Sequence, residues 1–247
     1  MTTSYPILFS SAMVLAILDE RKTQTRRIVK FKNHDSHIKD PMDGKPSDPP
    51  WPYQLGGDGR YHKQPCPYGQ PGHSIWCKET FHASAARVRY RADDMIRLED
   101  GTFSPAICNP PKWTPSIFMP RTSSRLTLPI TAVRAERLQD ISPADCDAEG
   151  IAESSLHTRD GAGRLARIQD YRSLWNSINL KPKPIFHSTK GVSYVSYPWS
   201  LDDLQQAYPK ANLANHHGPI PATYNGFPLT ITPNPWVWVI TFSPSSQ

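Results

Sequence analysis

The segment that most constrains the fold is Trp236 to Phe242, which reads WVWVITF. Aromatic and β-branched residues favour a strand, and so apolar a run is typical of a strand buried inside the protein. The N–H and C=O groups of a buried strand need hydrogen-bond partners. We therefore expect this segment to pair with strands formed earlier in the chain, from the 75–138 region.

Two strand signals lie in that region. Ser74 to Phe81 is one candidate, and Leu126 to Leu138 alternates apolar with polar residues as a central strand does. Pro129 interrupts the second candidate and predicts a kink, a bulge or an edge, because proline has no N–H to donate. Arg87 to Ala92 alternates basic with less polar residues and suggests a third, exposed strand.

Four segments carry helix signals. Residues 10–19 begin with serines that can act as N-cap. Residues 142–150 begin with Ser-Pro-Ala-Asp, a strong helix start, and stop at Gly150, a residue type common just after a helix end. A longer helix is predicted over residues 164–178. A short one over residues 201–207 is capped by Ser200.

Prolines mark the less ordered parts. The chain has 26 of them in 247 residues, about twice the average usage of roughly 5%. They cluster with Gly, Asp and His in residues 33–72 and recur through residues 179–235. Several short strands, few helices and no βαβ alternation favour an α+β fold. We expect one domain over residues 1–247. We expect a small β-barrel with packed helices and long irregular insertions at about 33–72 and 155–235.

The net charge of +6 and the pI of about 9.1 fit binding to a polyanion without requiring it. The distribution is more informative, since six cations crowd into one short stretch: Arg21, Lys22, Arg26, Arg27, Lys30 and Lys32. This run favours contact with the phosphates of RNA or another single-stranded nucleic acid. The alternative is a solvated basic loop.

Sequence features of export or membrane insertion are missing. No run of about 18 apolar residues occurs, and Met1 to Phe9 lacks the pattern of a signal peptide. The four cysteines, at positions 66, 77, 108 and 146, do not follow a secreted-scaffold pattern and are expected to be free thiols. We expect a cytoplasmic protein that does not bind a membrane, located in the bacterial host if it is encoded by a phage.

Two segments combine residue types that can carry chemistry. The run Arg21-Lys-Thr-Gln-Thr-Arg-Arg27 follows a predicted helix, and Lys22 and Thr25 within it could place an ammonium and a hydroxyl in one small space. Glu149 lies in the last turn of the other helix, where the helix dipole disfavours a negative charge. It therefore faces water or has a cationic partner, and Lys22 is a sensible one.

A metal site is a further possibility. His62, Cys66, His73 and Cys77 have the residue types that hold zinc. Their order matches no zinc-finger pattern known to us, so we expect no cofactor and leave zinc as the alternative. The sequence has no phosphate-binding glycine loop, no HExxH, no GxSxG and no zinc-deaminase signature.

Together these segments resemble the ASCH domain, a branch of the PUA-like barrel superfamily associated with RNA. The resemblance lies in the Arg-Lys-Thr-x-Thr-Arg segment, the Ile75-Trp76-x-x-Glu79 strand, the Ile141-Ser142…Glu149-Gly150-Ile151 helix and the closing strand, in that order. It touches about a third of the chain. The whole sequence is most similar to long ASCH-like proteins of tailed phages and prophages.

The resemblance implies an activity. Small bacterial ASCH enzymes remove the acetyl group from N-acetylated cytidine with a lysine, a threonine and a glutamate, which correspond to Lys22, Thr25 and Glu149. Candidate substrate-binding residues are Arg26, Arg27, Trp76, Glu79 and Tyr90. Two positions depart from the family pattern. Glu20 replaces a small glycine and adds a carboxylate beside Lys22, and His73 stands where Gly-Asp is typical.

The three implied residues suit amide hydrolysis. A threonine hydroxyl needs an adjacent base to act as a nucleophile. Lysine is that base only if a desolvated pocket lowers its pKa from about 10.4 towards 7. Glu149 would then protonate the leaving amine or orient water. Trp76 and Tyr90 could stack on a cytosine, although packing in the core is the simpler role for both.

We therefore expect an amidohydrolase that removes an acyl group from N-acylated cytidine or a related modified base. The alternative is a non-catalytic phage protein that binds RNA, DNA or a modified base. The long insertions and basic rim favour this alternative, since a hydrolase of free nucleosides needs neither. An RNA-cleaving enzyme is a third possibility. The expected partner is a nucleoside or a single-stranded nucleic acid.

Overall fold

The computed structural model describes residues 3–30, 36–39, 51–55, 58–97, 103–105, 111–151, 162–187, 191–208, 220–224 and 227–244. Within them the fold is α+β, as predicted. The strands are β1 (Ser4–Leu8), β2 (Gln24–Ile28), β3 (Ser36–Lys39), β4 (Trp51–Leu55), β5 (Tyr61–Lys63), β6 (Ser74–Lys78), β7 (Phe81–Ala83), β8 (Val88–Tyr90), β9 (Met95–Arg97), β10 (Phe103–Pro105), β11 (Thr127–Arg137), β12 (Lys183–His187), β13 (Gly191–Ser196), β14 (Ile220–Tyr224), β15 (Phe227–Ile231) and β16 (Trp236–Phe242). The α-helices are α1 (Ser11–Leu18), α2 (Pro143–Ala148), α3 (Ala162–Asn179) and α4 (Leu201–Ala207).

The largest sheet has five strands in the order β1-β6-β11-β16-β2. β1 runs parallel to β6, and the other three pairings are antiparallel. The closing strand β16 thus lies between β11 and β2, which confirms that it pairs with the 75–138 region. β1 and β2 are the two edges, so the sheet is open within the described residues.

Strand β16 is buried on both faces. Trp238, Ile240 and Phe242 belong to the larger hydrophobic cluster, which also contains residues of β6 and β11. Val237 and Val239 point the other way into a second cluster with residues of α2 and α3. A strand covered on both sides has no polar face, which explains the continuous apolar sequence of this segment.

The predicted helices are all present. Ser10 caps α1, and Ser142 caps α2 in a capping box with Asp145. The long helix α3 and the short helix α4, capped by Ser200, also lie where they were predicted. No helix among the described residues is long and apolar enough to cross a membrane.

The strand signals hold with three refinements. The first candidate, Ser74 to Phe81, is divided between β6, which ends at Lys78, and β7, which begins at Phe81 in another sheet. In β11 the register with β16 shifts between Ile130 and Ala132, next to Pro129, which confirms the predicted irregularity. The third signal yields the shorter strand β8, whose residues are half-buried rather than exposed. One cause of this partial burial is Tyr90, whose hydroxyl donates to the carbonyl of Ser123 at 3.0 Å.

The prediction that the two insertions are irregular is wrong for their described parts. β3, β4 and β5 form a three-stranded sheet within the first insertion. β12, β13, β15 and β14 form a four-stranded sheet within the second, and Leu204 of α4 packs beside it with Leu229 and Ile231. The expectation of irregular structure was based on the high proline content. Short strands still form there, and most of them run antiparallel to neighbours that are close in sequence.

Candidate functional site

Lys22 and Glu149 meet where two helices end. α1 and α2 end in two separate turns of the same type. In each, the residue after the C-cap has a positive φ, which is 58° at Glu20 and 80° at Gly150. The N–H of the following residue bonds to the carbonyl five residues back, at 2.9 and 3.2 Å, which is the Schellman motif. The two turns lie together, and an isolated antiparallel β-bridge joins Lys22 to Glu149.

Their side chains form a buried ion pair. The Lys22 Nζ donates to Glu149 Oε2 at 2.7 Å and to the Glu149 backbone carbonyl at 2.8 Å. Lys22 is 0% exposed and Glu149 is 6% exposed. The ammonium therefore neutralises a carboxylate at the negative end of α2 and also satisfies a carbonyl that the helix leaves without a partner.

Gly150 lets the two turns approach this closely. A Cβ atom at this position would lie 2.8 Å from the Ala16 Cβ and 2.9 Å from the Lys22 Cβ. Its φ of 80° is also a conformation that side chains disfavour. The glycine predicted as a helix stop thus has a second role, since any larger residue would push Lys22 away from Glu149.

The environment of Lys22 combines two opposing effects. Burial lowers the pKa of its ammonium below the ordinary value, and the adjacent Glu149 carboxylate offsets part of that change. Arg27 and Arg26 lower the pKa further by charge repulsion. A lysine base requires this direction of shift.

Arg26 is the second cation on Glu149. Its Nη1 donates to Glu149 Oε1 at 3.2 Å, and its Nε donates to Glu136 Oε1 at 3.0 Å. Arg134 bridges outward from Glu136 to Asp145, at 2.9 and 3.0 Å. Both oxygens of Glu149 are thus held by buried cations in a network that spans β2, β11 and α2.

A pocket of about 240 Å³ opens beside this network, along β2 at the edge of the large sheet. Thr25, Arg26, Arg27 and Glu149 line it, whereas Lys22 does not. The remaining wall comes mainly from α1, α3 and β12, through Met13, Ile28, Lys30, Tyr68, Tyr171, Leu174, Trp175, Ile178, Asn179 and Lys183.

Thr25 and Arg27 contribute to the pocket in different ways. Thr25 is buried, and its side chain makes no hydrogen bond to any described residue. Arg27 donates from Nη2 to the Leu8 carbonyl at 2.6 Å, while its buried Nε has no partner among the described residues. The guanidinium also lies 5.4 Å from the centre of the Phe9 ring. Thr25 therefore has a hydroxyl with no competing partner, and Arg27 has unused donor capacity.

The other candidate residues lie elsewhere. Glu79, which is 1% exposed, accepts hydrogen bonds from the Arg125 guanidinium at 2.9 and 3.0 Å. The Arg125 guanidinium also stacks on the Tyr90 ring, 4.1 Å from its centre. Trp76 lies near the cations of Lys78 and Arg121. None of Trp76, Glu79 and Tyr90 lines the pocket, so the geometry does not support their expected contacts with a base.

The basic run is only partly a charged surface. Lys22 and Arg26 are buried in ion pairs, and Arg21 pairs with Asp19 at 3.0 Å. Lys30 is exposed, and Lys32 lies outside the described residues. Glu20 is exposed while Lys22 is fully buried, so the extra carboxylate does not pair with it. At most part of this run is available to phosphates.

Sequence reasoning missed the wall of the pocket built by α3 and β12. Tyr171 and Trp175 lie in the helix predicted over residues 164–178, and Lys183 lies in the insertion expected to be irregular, so neither prediction assigns them to a site. Burial raises the pKa of Tyr171 well above its ordinary value, and its ring centre lies 6.0 Å from the Arg26 guanidinium. The signal was present in the aromatic residues on the face of α3, but nothing in the sequence tells an aromatic pocket wall from core packing.

The four possible zinc ligands do not form a common site. His62 contacts Asp58 at 3.1 Å, whereas Cys66 and His73 line a second cavity of about 460 Å³. Burial raises the pKa of the Cys77 thiol to about 12. Among the described residues no group of three or more His, Cys, Asp or Glu could hold a metal ion. Cys66, Cys77 and Cys146 are free, as expected, and all three are buried, while Cys108 lies outside the described residues.

Known proteins offer no further guide to the site. No protein family matches the chain, and no match was found among curated proteins or solved structures.

Proposed function

We propose that the protein is an ASCH-type amidohydrolase that removes an acyl group from N-acylated cytidine or a related modified base. The observation that carries the proposal is the buried Lys22–Glu149 pair, 2.7 Å apart, next to a pocket that Glu149 and Thr25 line. Lys22, Thr25 and Glu149 are the three residue types that the resemblance to the ASCH enzymes implies. They come from segments more than 120 residues apart.

We also propose that the five-stranded sheet is part of a PUA-like small barrel. Two features support this: the order of the segments that resemble the ASCH domain, and the insertion of β16 between β11 and β2. An experimental structure in which β1 and β2 belong to unrelated sheets would contradict it.

The proposed chemistry uses the proton shared by the ion pair. A proton that moves from Lys22 Nζ to Glu149 Oε2 leaves a neutral amine and a carboxylic acid. The amine accepts the proton of the Thr25 hydroxyl while Oγ1 attacks the acyl carbonyl carbon. The C–N bond then breaks as Glu149 protonates the exocyclic nitrogen, and water hydrolyses the acyl-threonine ester.

Turnover of acylated nucleosides tests the proposal. The purified protein is incubated with N4-acylated cytidines of different acyl length, and the products are separated by chromatography. We expect release of cytidine, and we expect Thr25→Val to abolish it because the hydroxyl is lost while the shape is kept. Lys22→Met should lower kcat by about 10²- to 10⁴-fold. Since the residues act as a unit, the double variant should lose little more than either single one.

Thr23→Val is the matched control, because it makes the same change two residues away, at a threonine that does not line the pocket. It should leave kcat/KM unchanged. Activity that survives Thr25→Val, in a protein shown to be folded, would overturn the role of Thr25. No turnover of any acylated nucleoside by the unchanged protein would overturn the enzyme assignment.

A second candidate function is recognition without catalysis. It is favoured by the position of Arg27, Lys30 and Lys183 around the same pocket, since cations suit binding of a nucleic acid. In that case a cytidine-containing ligand binds, Thr25→Val leaves its affinity unchanged, and no bond is broken.

A further inference from the structure

The charges around the pocket are unequal. Its lining includes four cations, Arg26, Arg27, Lys30 and Lys183, and one carboxylate, Glu149. Arg26 is matched by carboxylates, as described above. The other three form no ion pair with any described residue. The pocket therefore has a neutralised end at Glu149 and an unbalanced positive end.

Lys30 and Lys183 define that positive end. Lys30 lies two residues beyond β2, and Lys183 is the first residue of β12, so two separate segments bring their ammonium groups to one opening. Among the described residues, the Lys183 ammonium donates only to the side-chain oxygen of Asn179, at 3.4 Å. Partial burial and the positive charge of Lys30 lower the pKa of Lys183. Like charges held side by side repel, and a bound anion removes the repulsion.

The neutralised end and the positive end of the pocket are separated by a stretch of extended chain. From Thr25 to Lys30 the chain advances about 16 Å at the usual rise per residue, and Tyr68 and Tyr171 also line the pocket. A base placed at Thr25 and Glu149 thus leaves room along β2 for a sugar and a charged group directed towards the lysines.

We propose that the pocket takes its ligand in phosphorylated form, with the phosphate bound by Lys30, Lys183 and Arg27. The proposal rests on the proposed function for the position of the base. It assigns the second insertion a direct part in binding, because Lys183 lies outside the segments that resemble the ASCH domain. The phosphate belongs either to a free nucleotide or to a nucleotide within single-stranded RNA.

Binding of unmodified cytidine compounds tests this without requiring turnover. Calorimetry compares cytidine, cytidine 5′-monophosphate, inorganic phosphate and a short oligocytidylate without terminal phosphates. We expect the monophosphate to bind at least about tenfold more tightly than cytidine, and phosphate to compete with it. The preference should weaken as salt rises, because it is electrostatic. Lys30→Gln combined with Lys183→Gln should remove most of it.

Lys181→Gln is the matched control, since Lys181 is exposed, lies two residues from Lys183 and does not line the pocket. An oligocytidylate that binds more tightly than the monophosphate identifies RNA as the source of the phosphate, whereas the reverse order identifies a free nucleotide. Equal affinity for cytidine and its monophosphate, or an unchanged preference in the double variant, overturns the proposal even if deacylation is observed. A phosphate preference without deacylation supports the phosphate site and refutes the enzyme assignment.

Discussion

Among the described residues two glutamates are almost completely buried, and the cations that hold them differ in exposure. Glu149 is held by Lys22 and Arg26, whose side chains are both 0% exposed. Glu79 is held by Arg125, which is 20% exposed and is shared with the exposed Asp93. Burial raises the pKa of Glu79 despite Arg125. Around Glu149, by contrast, the buried Lys22 ammonium is neutralised by this carboxylate, whereas Arg26 also pairs with Glu136 and Asp145.

The difference shows that burial alone does not make a carboxylate a candidate for catalysis. Glu79 is the more deeply buried of the two, yet it does not line the pocket and serves to anchor Arg125. Glu149 both lines the pocket and compensates two cations. The second arrangement places one member of a hydrogen-bonded ion pair at the pocket, whereas Glu79 does not line that pocket.

The largest expected effect comes from neutralising each glutamate in turn. Glu149→Gln leaves the buried Lys22 without its carboxylate and removes one of the three carboxylates that pair with Arg26, and should lower the free energy of unfolding by about 3–5 kcal/mol. Glu79→Gln should lower it by about 1 kcal/mol, because Arg125 reaches solvent and keeps Asp93 as a partner. Denaturation at pH 7 measures both. Equal losses would mean that exposure of the cations does not matter and would break the comparison.

A smaller effect is expected from adding one methyl group at a glycine with positive φ, either beside Lys22 or away from the site. Gly150 and Gly72 both have positive φ, 80° and 89°, but only the Cβ at Gly150 would meet other atoms. Gly72→Ala should cost about 1–2 kcal/mol from backbone strain alone. Gly150→Ala should cost about 1–3 kcal/mol more from overpacking against Ala16 and Lys22. Similar melting temperatures for the two variants would show that the two helix ends do not pack as tightly as described.

The pH dependence of stability should differ in sign between the two regions. Because the pKa of Glu79 is raised above 4.5, the folded protein holds a proton that the unfolded chain releases. The stability that Glu79 contributes is therefore lost as the pH rises above about 4.5. Burial would raise the pKa of Asp145 as well, but hydrogen bonds from Ser142 and Gln24 outweigh it and lower the pKa below 3.8. Its contribution is lost as the pH falls below about 3.8.

Variants that cannot titrate separate these two contributions. The cost of Glu79→Gln should shrink as the pH is raised above about 4.5, whereas the cost of Asp145→Asn should shrink as the pH is lowered below about 3.8. Denaturation curves at a series of pH values measure both. Parallel curves for the two variants would contradict the opposite assignment.

The smallest effect concerns the turn before Lys22. Glu20 is exposed and has a φ of 58°, which costs a residue with a side chain about 1–2 kcal/mol. Glu20→Gly removes this strain but adds freedom to the unfolded chain, for a net gain of about 0.5 kcal/mol. Glu20→Ala keeps the strain while it removes the charge. A gain in the alanine variant as large as in the glycine variant would attribute the effect to the carboxylate instead.

Local signals predicted the elements that surround the site. The caps at Ser10, Ser142 and Ser200 and the stop at Gly150 are chemical features of a few residues, and each helix lies where they indicated. The need of a carboxylate at a helix end for a cation led to the pairing of Lys22 with Glu149. This succeeded because the helix dipole leaves few alternatives for a buried acid.

Long-range features could not be predicted in the same way. Nothing near Arg26 in the sequence shows that Glu136 would bind it, and nothing near Tyr171 or Lys183 shows that they would face β2. Composition also misled, because a high proline content does not prevent short strands such as β12 and β13 from pairing. The placement of Trp76, Glu79 and Tyr90 around Arg125 likewise depends on how β6 and β8 lie together.

The position of β16 has a consequence for the timing of biosynthesis. β2 carries Thr25, and its neighbour in the described sheet is β16, which the ribosome adds about 200 residues later. At about 5–20 residues per second, roughly 10–40 s pass between the two strands. Until β16 is made, β2 has no partner strand in the described sheet, and the core beside Lys22 is incomplete. We therefore expect ligand binding to appear only after synthesis of the closing strand, however early the residues of the pocket emerge.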